Sequence, residues 1–330
     1  MAQYNIDQTS DSPDVILESV KKTSSAATTI IVFNRFKKNQ MALIGLIILL
    51  FFITLAILSY LDELTFAVFH QGLCANINNI GINNIGMCYR PDEPFAGNAS
   101  SFENPSFAHP FGTDNVGRDI LIRIIYGARI SITVGFLAVI VSLSIGTVLG
   151  LIAGYFGGKV DSVISMFLEI LLAFPSILLA LGILFVLGSS LTNAMIAVGI
   201  VYIPYYARVV RGQTLVERGQ NYVDAAKVLG VSTPRILTKH ILPNNLGVLI
   251  IYSTLGIGTA ILEVAALSFL GLGALPPTAE WGAMIADGRK YFATSPHLVF
   301  FPGLAILFTV ISFNLVGDGL REALDPRFKS

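Results

Sequence analysis

The sequence predicts an all-α integral membrane protein with six transmembrane helices. Of its 330 residues 54% are hydrophobic and only 13% charged, about half the roughly 25% charge of a soluble domain. Mean hydropathy is +0.71. Apolar runs of about 18 residues or more recur along the chain, each long enough to cross a hydrocarbon core about 30 Å thick. The basic residues, finally, are divided unequally between the segments that join these runs.

The first span is Met41 to Tyr60 and the second about Ile130 to Tyr155. The third runs from about Val160 to Leu187 and the fourth from Leu191 to about Val210. The fifth covers about Leu246 to Leu270 and the sixth about Leu298 to Val316. Six spans put both termini on one side. With that side taken as cytoplasmic, the inner segments carry Lys21, Lys22, Arg35, Lys37, Lys38, Lys159, Arg208, Arg211, Arg218, Lys227, Arg235, Lys239, Arg321, Arg327 and Lys329. The outer segments carry only Arg90, Arg118, Arg123, Arg129, Arg289 and Lys290. That is the bias of the positive-inside rule. Acidic and basic residues number 21 each, so overall charge gives no sign of nucleic-acid binding.

Residues 1–28, rich in Ser, Thr and Asp, read as a disordered cytoplasmic tail, and 29–60 as a lead-in and the first span. That span starts too far along the chain, and is too long, for a cleaved signal peptide. Residues 61–129 form an extracytoplasmic segment, 130–318 the core of the membrane domain and 319–330 a cytoplasmic tail. The extracytoplasmic segment holds both cysteines, Cys74 and Cys88. An exported disulfide between them would contribute about 3 kcal/mol in the chain-entropy estimate; two unpaired thiols are the alternative. Asn98-Ala99-Ser100 matches a glycosylation acceptor, a short pattern that is given little weight.

In residues 109–136 Thr113 or Asp114 can cap a helix, and Arg118, Arg123 and Arg129 interrupt an apolar run. The expectation is a segment lying in the membrane interface, its guanidinium groups turned to headgroups or water. The third span carries Glu169 and Pro175, and the fifth carries Glu263. A carboxylate at membrane depth faces protein or a wet path. Glu169 and Glu263, with Asn314 of the sixth span, are therefore candidates for a translocation path; hydrogen bonding to neighbouring helices is the alternative. At 1.5 Å per residue the two carboxylates lie roughly 13 and 27 Å along their helices, too far apart in depth to pair. Pro175 is expected to kink its span. Between the last two spans Pro276-Pro277 stops any helix, and Thr278 can cap a short one holding the single tryptophan, Trp281, expected at the outer interface.

Chemistry-bearing motifs are sparse. The nearest approach to a phosphate-binding GxxxxGK[ST] is AGYFGGKVD at 153–161, which lacks the first glycine and has Val160 where the hydroxyl belongs; it reads as a tight turn. The four histidines are scattered without metal-ligand spacing. No cofactor, no metal site and no catalytic constellation is expected.

The loop 211–244 stands out, above all YVDAAKVLGVSTPRILTKHILPNN from Tyr222 to Asn245. Val223, Ala226 and Leu229 fall on one helical face, and Gly230 is placed to end that helix. Ser232 or Thr233 then caps a second helix with Pro234 at its first position, limited by Pro243 before the fifth span. Ala225 and Ala226 permit close approach by another surface, within a ring of positive charge from Lys227, Arg235 and Lys239.

The pattern Asp224-Ala225-Ala226, Gly230, Leu242-Pro243 resembles the EAA loop of bacterial ABC importer permeases. Asp224 stands for the usual Glu, and His240 where the general motif favours Ile. The form His240-Ile241-Leu242-Pro243-Asn244 is similar to the peptide and nickel branch. So are HPFGTDNVGRD with YGARIS before the second span, and FPGLAILFTVISFNLVGDGLREALDPR at the end. The resemblance runs from about Phe33 to Arg327 and is weakest around the cysteines. It implies a type I importer permease fold in a bacterial cytoplasmic (inner) membrane, as the C-type subunit. Implied partners are a homologous B-type permease, two ATPase subunits that bind ATP and Mg, an extracytoplasmic peptide-binding protein and membrane lipid, but no nucleic acid. Tyr222, Asp224, Ala225, Ala226, Gly230, Val231, Pro234, Arg235, Leu242 and Pro243 would couple to the ATPases. The implied cargo is dipeptides or short oligopeptides, with nickel complexes and antimicrobial peptides as alternatives. A secondary transporter is the rival of another class.

Overall fold

The computed structural model describes residues 32–69 and 100–324, with side chains in the first stretch placed as far as residue 62. Its elements are α1 (Gln40–Phe69), α2 (Ile120–Phe156), α3 (Gly158–Leu172), α4 (Ser176–Leu187), α5 (Leu191–Arg218), α6 (Asn221–Val228), α7 (Thr233–Ile236), a π turn (Leu237–Ile241), α8 (Leu242–Phe269), α9 (Trp281–Gly288), a 3-10 turn (Arg289–Tyr291) and α10 (His297–Leu324). Among the described residues five stretches are each long and apolar enough to cross a membrane: Gln40–Asp62, Ile120–Phe156, Leu191–Arg218, Thr233–Phe269 and His297–Leu324. The tail 1–28, Cys74, Cys88 and Arg327 lie outside the described residues.

The expected third span is not one helix. α3 and α4 meet at 92° and qualify as a crossing only as a broken pair. Ala173 N–H still reaches the carbonyls of Glu169 and Ile170, but Pro175 has no N–H and sits at φ −55°, ψ 135°. The helical path is left at Pro175 itself, whose ψ is extended, and a proline disfavours the helical region for the residue before it. A kink was the expectation from Pro175; the outcome is a sharp corner.

Two further boundaries move. α2 begins at Ile120, ten residues before the expected start, because Asp119 caps it by accepting the Ile122 N–H at 3.1 Å. The fifth span is continuous with the loop helix before it, so that Thr233–Phe269 runs as one candidate span. Pro243 does not stop it. Leu242 N–H bonds the Leu237 carbonyl five residues back, widening the turn where the proline ring would otherwise meet the preceding turn.

The α2–α5 contact is the bundle's spine, and it is made by small residues. A Cβ on Gly146, Gly150 or Gly154 would come within 2.7 Å of Tyr206 Cβ, 2.5 Å of the Ala207 carbonyl and 2.7 Å of Thr214 Cβ. Removing side chains at every fourth residue lets two backbones pack directly, the source of helix attraction where lipid supplies no hydrophobic drive.

Contacts distinguish the two ends. Gly154 on Thr214, Thr214 Oγ1 to Asn245 Nδ2 at 3.5 Å, and Leu324 beside Gly247 gather the last turns of α2, α5 and α10 around the start of α8. This end carries α6 and α7. At the other end Tyr126 donates to Asp62, joining α2 to α1, and Trp281 Nε1 donates to the Ile124 carbonyl at 3.1 Å. Trp281 is fully buried rather than facing an interface, and the cap of α9 is Glu280, which accepts from Gly282 N–H and Ala283 N–H, not Thr278. Burial holds the Glu280 carboxyl above its usual range, opposed by those two backbone bonds.

Residues 100–119 form a compact polar cap on this second end. Thr113 Oγ1 donates to the Ser100 carbonyl at 2.6 Å and accepts Glu103 N–H at 2.9 Å. Phe111 stacks on Phe301 at 4.0 Å, and Phe102 meets Tyr291 at 4.7 Å. Arg118 and Arg123 do not reach headgroups. They are 7% and 2% exposed and share Asp114, whose Oδ2 lies 3.8 Å from Arg123 Nε. Arg129 lies against an aromatic face, 4.9 Å from the Tyr60 ring centre.

Candidate functional site

The loop between α5 and α8 folds as the sequence predicts, with one face reversed. Gly230 has φ +74° with no atom within 4 Å of a built Cβ, so it serves the left-handed turn alone. Val231 N–H closes back on the Ala226 carbonyl at 3.0 Å. Of the two expected cap residues Ser232 occupies the position, without a side-chain capping bond, and Pro234 is the second residue of α7, where the first was expected.

One side of this element belongs to the bundle. Val223, Ala226, Ile236 and Ile241 are buried in a cluster with Leu151, Val210 and Leu249, so α6, α7 and the π turn rest on α2, α5 and α8. Ala226 therefore faces inward, and only Ala225 is open to another surface. Leu229 does not share the face of Val223 and Ala226. It is the residue where α6 unwinds (φ −74°, ψ 2°), and its side chain is 81% exposed beside Val228 at 88%.

A hydrogen-bonded triad pins the root of α6. Tyr222 Oη donates to Glu217 Oε2 at 2.6 Å, and Asn244 Nδ2 donates to Tyr222 Oη at 3.0 Å and to Glu217 Oε2 at 3.3 Å. Three elements, α5, α6 and α8, thus meet at one point. Partial burial, and next the bond to Glu217, hold the Tyr222 phenol above its ordinary range. Asp224 is exposed and pairs with Lys227 at 2.9 Å. Pro234, Arg235 and Pro243 are exposed, while Val231 and Leu242 are half-buried. Of these residues Glu217, Val228 and Asn244 escaped the sequence reading; Asn244 lay inside the quoted motif, and Glu217 sits five residues before Tyr222.

The three path candidates are not brought together by any hydrogen bond or ion pair. Glu169 is exposed on α3 and Asn314 exposed on α10. Glu263 is half-buried on α8, where its Oε1 accepts from Ser176 Oγ at 2.9 Å and from Tyr202 Oη at 3.3 Å. It thereby ties α8 to the corner before α4 and to α5, the neighbour-bonded alternative for this residue. Among the described residues no three His, Cys, Asp or Glu side chains are grouped so as to hold a metal.

Comparison with known proteins places this geometry. Residues 146–330 match the family described as binding-protein-dependent transport system inner membrane component, and residues 29–63 match the N-terminal transmembrane domain of oligopeptide transport permease C. The chain is 47% identical over 298 residues to a dipeptide transport system permease protein DppC of Alkalihalophilus pseudofirmus, covering 90% of each chain. It is 47% identical over 228 residues to a glutathione transport system permease protein GsiD of Pectobacterium atrosepticum, covering 69% of this chain and 76% of that one. Among solved structures, the inward-facing MetNI methionine ABC transporter shares 19% identity with a TM-score of 0.52, over 62% of this chain and 98% of its own, which shows the fold. Such a subunit implies a partner permease and ATPase subunits, and the apolar helices cross the membrane several times. The chain belongs to the inner membrane components of binding-protein-dependent transport systems, the permease subunits of ABC importers.

Proposed function

We propose that this permease carries short peptides inward and that the α6–α7 element is where ATP-driven motion enters it. The observation that carries the coupling role is the pairing of a fixed back with an open front. Val223, Ala226, Ile236 and Ile241 weld the element to three long helices, while Val228 and Leu229 stand in solvent beside Gly230. Displacement of such a tip moves α5 and α8 as rigid levers. Tyr222, Asp224, Ala225, Pro234 and Arg235 border the same surface, and Leu242 and Pro243 set the junction with α8.

The end bearing α6 and α7 is assigned to the cytoplasm, where the positive charge of the loops falls, and the capped end to the outside. ATP and Mg belong to the ATPase subunits, and this chain contributes no catalytic group. Its partner across the path is a homologous B-type permease, and a peptide-binding protein delivers cargo to the outer face. Glu169, Glu263 and Asn314 are assigned to the path or its walls, and Cys74–Cys88 to an outer disulfide.

Relatives named for dipeptides and for glutathione support a small peptide as cargo. Reconstitution of both permeases, the ATPases and the binding protein in vesicles tests this. ATP-dependent accumulation of labelled di- and tripeptides is the expected result. Accumulation without ATP would make the chain a secondary transporter, and ATP-dependent uptake of a nickel complex but no peptide would reassign the cargo.

A further inference from the structure

The outer cap presents one feature that neither coupling nor the path explains. Phe107 is fully exposed, at 100%, in the middle of a run of exposed residues from 104 to 108. A phenyl ring on a floppy loop would mean little, but this one stands on a braced turn. Ser106 N–H donates to the His109 carbonyl at 2.9 Å, and His109 N–H donates to Ser106 Oγ at 3.1 Å. His109 is itself buried, its Nδ1 2.8 Å from Asp119 Oδ2, the carboxylate that caps α2. Pro105 and Pro110 flank the turn. The backbone that carries the ring is thus fixed against the start of a transmembrane helix.

Its position argues against lipid as the covering surface. The exposed apolar side chains of α1 run from Met41 to Leu61, a rise of about 30 Å at 1.5 Å per residue, which matches the hydrocarbon core. Tyr126 bonds Asp62 at the edge of that band. Ile120, where the cap joins α2, is six residues further on, about 9 Å beyond the edge. Phe107 therefore projects on the water side, at the end opposite α6 and α7. Glu103, Asn104 and Ser106 precede it in the same turn, so polar groups accompany the aromatic side chain, as at the rim of an interface anchor.

We infer that Phe107 is a docking anchor for the soluble substrate-binding protein of this importer, which would offer an apolar socket rimmed by polar groups. The occupant follows from the family, whose transport depends on a binding protein, and from the cap's place at the end away from the coupling element. The inference rests on the proposed orientation and importer function.

The test uses the complete importer in lipid nanodiscs, with ATP hydrolysis measured against the concentration of purified, peptide-loaded binding protein. Phe107→Ala and Phe107→Asp are expected to raise the half-stimulating concentration about tenfold or more, with basal hydrolysis and subunit composition unchanged. Phe107→Trp is expected to stay near wild type. An unchanged half-stimulating concentration in the Ala and Asp variants overturns the proposal. So does loss of the partner permease on purification, which would place the ring in the contact between permeases. Failure of the binding protein to stimulate the wild-type complex would overturn the importer reading, and this docking role with it.

Discussion

Replacing Val228 and Leu229 together by aspartate separates coupling from folding. Both side chains are more than four-fifths exposed, at 88% and 81%, so the isolated permease loses no packing and its stability is expected to change by less than about 0.5 kcal/mol. On the proposed coupling contact the same side chains become buried in the assembled importer. Full burial of a Val or Leu contributes roughly 1.5–3 kcal/mol, and only part of such a gain appears as affinity. About 3 kcal/mol for the pair is a fair value, equivalent to a loss of about 150-fold in ATPase affinity. The assay is co-purification of the ATPase subunits, with ATP-dependent uptake in proteoliposomes and thermal unfolding of the permease alone. Val223→Asp serves as the contrast, since Val223 is fully buried and its replacement is expected to unfold the element. Uptake and ATPase retention within about twofold of wild type in the double variant would refute the docking surface.

Other substitutions probe the frame. Gly230→Ala meets no neighbour and is expected to cost only the left-handed backbone strain, about 1–2 kcal/mol, whereas Gly230→Pro cannot reach φ +74° and is expected to abolish uptake; protease mapping of the loop would show the difference. Asp224→Lys breaks an exposed pair worth under about 1 kcal/mol, so any large loss of uptake at normal membrane abundance reports on coupling. Asp114→Ala leaves Arg118 and Arg123 buried without their shared carboxylate and is expected to cost about 3–5 kcal/mol, seen as a lower unfolding temperature. Gly150→Leu forces α2 and α5 apart and is expected to reduce the amount of folded permease recovered from membranes.

The sequence was most legible where one residue type answers one local need. Gly230 was placed from turn chemistry alone, the start of α7 was placed to within a residue, and the apolar runs located the crossings, the third as a broken pair. It was less legible where tertiary context chooses between local options. Helical periodicity put Leu229 with Val223 and Ala226, but α6 ends at Val228, and beyond that point the period no longer says which way a side chain points. Arg118 and Arg123 looked amphipathic because a sequence does not show that Asp114 folds back between them. Pro175 and Pro243 carry the same backbone constraint, yet one makes a 92° corner and the other sits in an unbroken helix. Pro243 follows a π turn and lies in the first turn of α8, whereas Pro175 itself has an extended ψ. The stripe Gly146, Gly150, Gly154 was not singled out from the sequence, and it is the facing α5 that shows what it packs against.

The most direct measurement of the central claim is site-specific cross-linking from the tip of α6. A photoreactive side chain at position 229, in the complete importer, is expected to give an adduct with an ATPase subunit whose yield changes between nucleotide-free and ATP-bound states. Adducts only with lipid or with the partner permease, in a complex that still imports with ATP, would contradict the account.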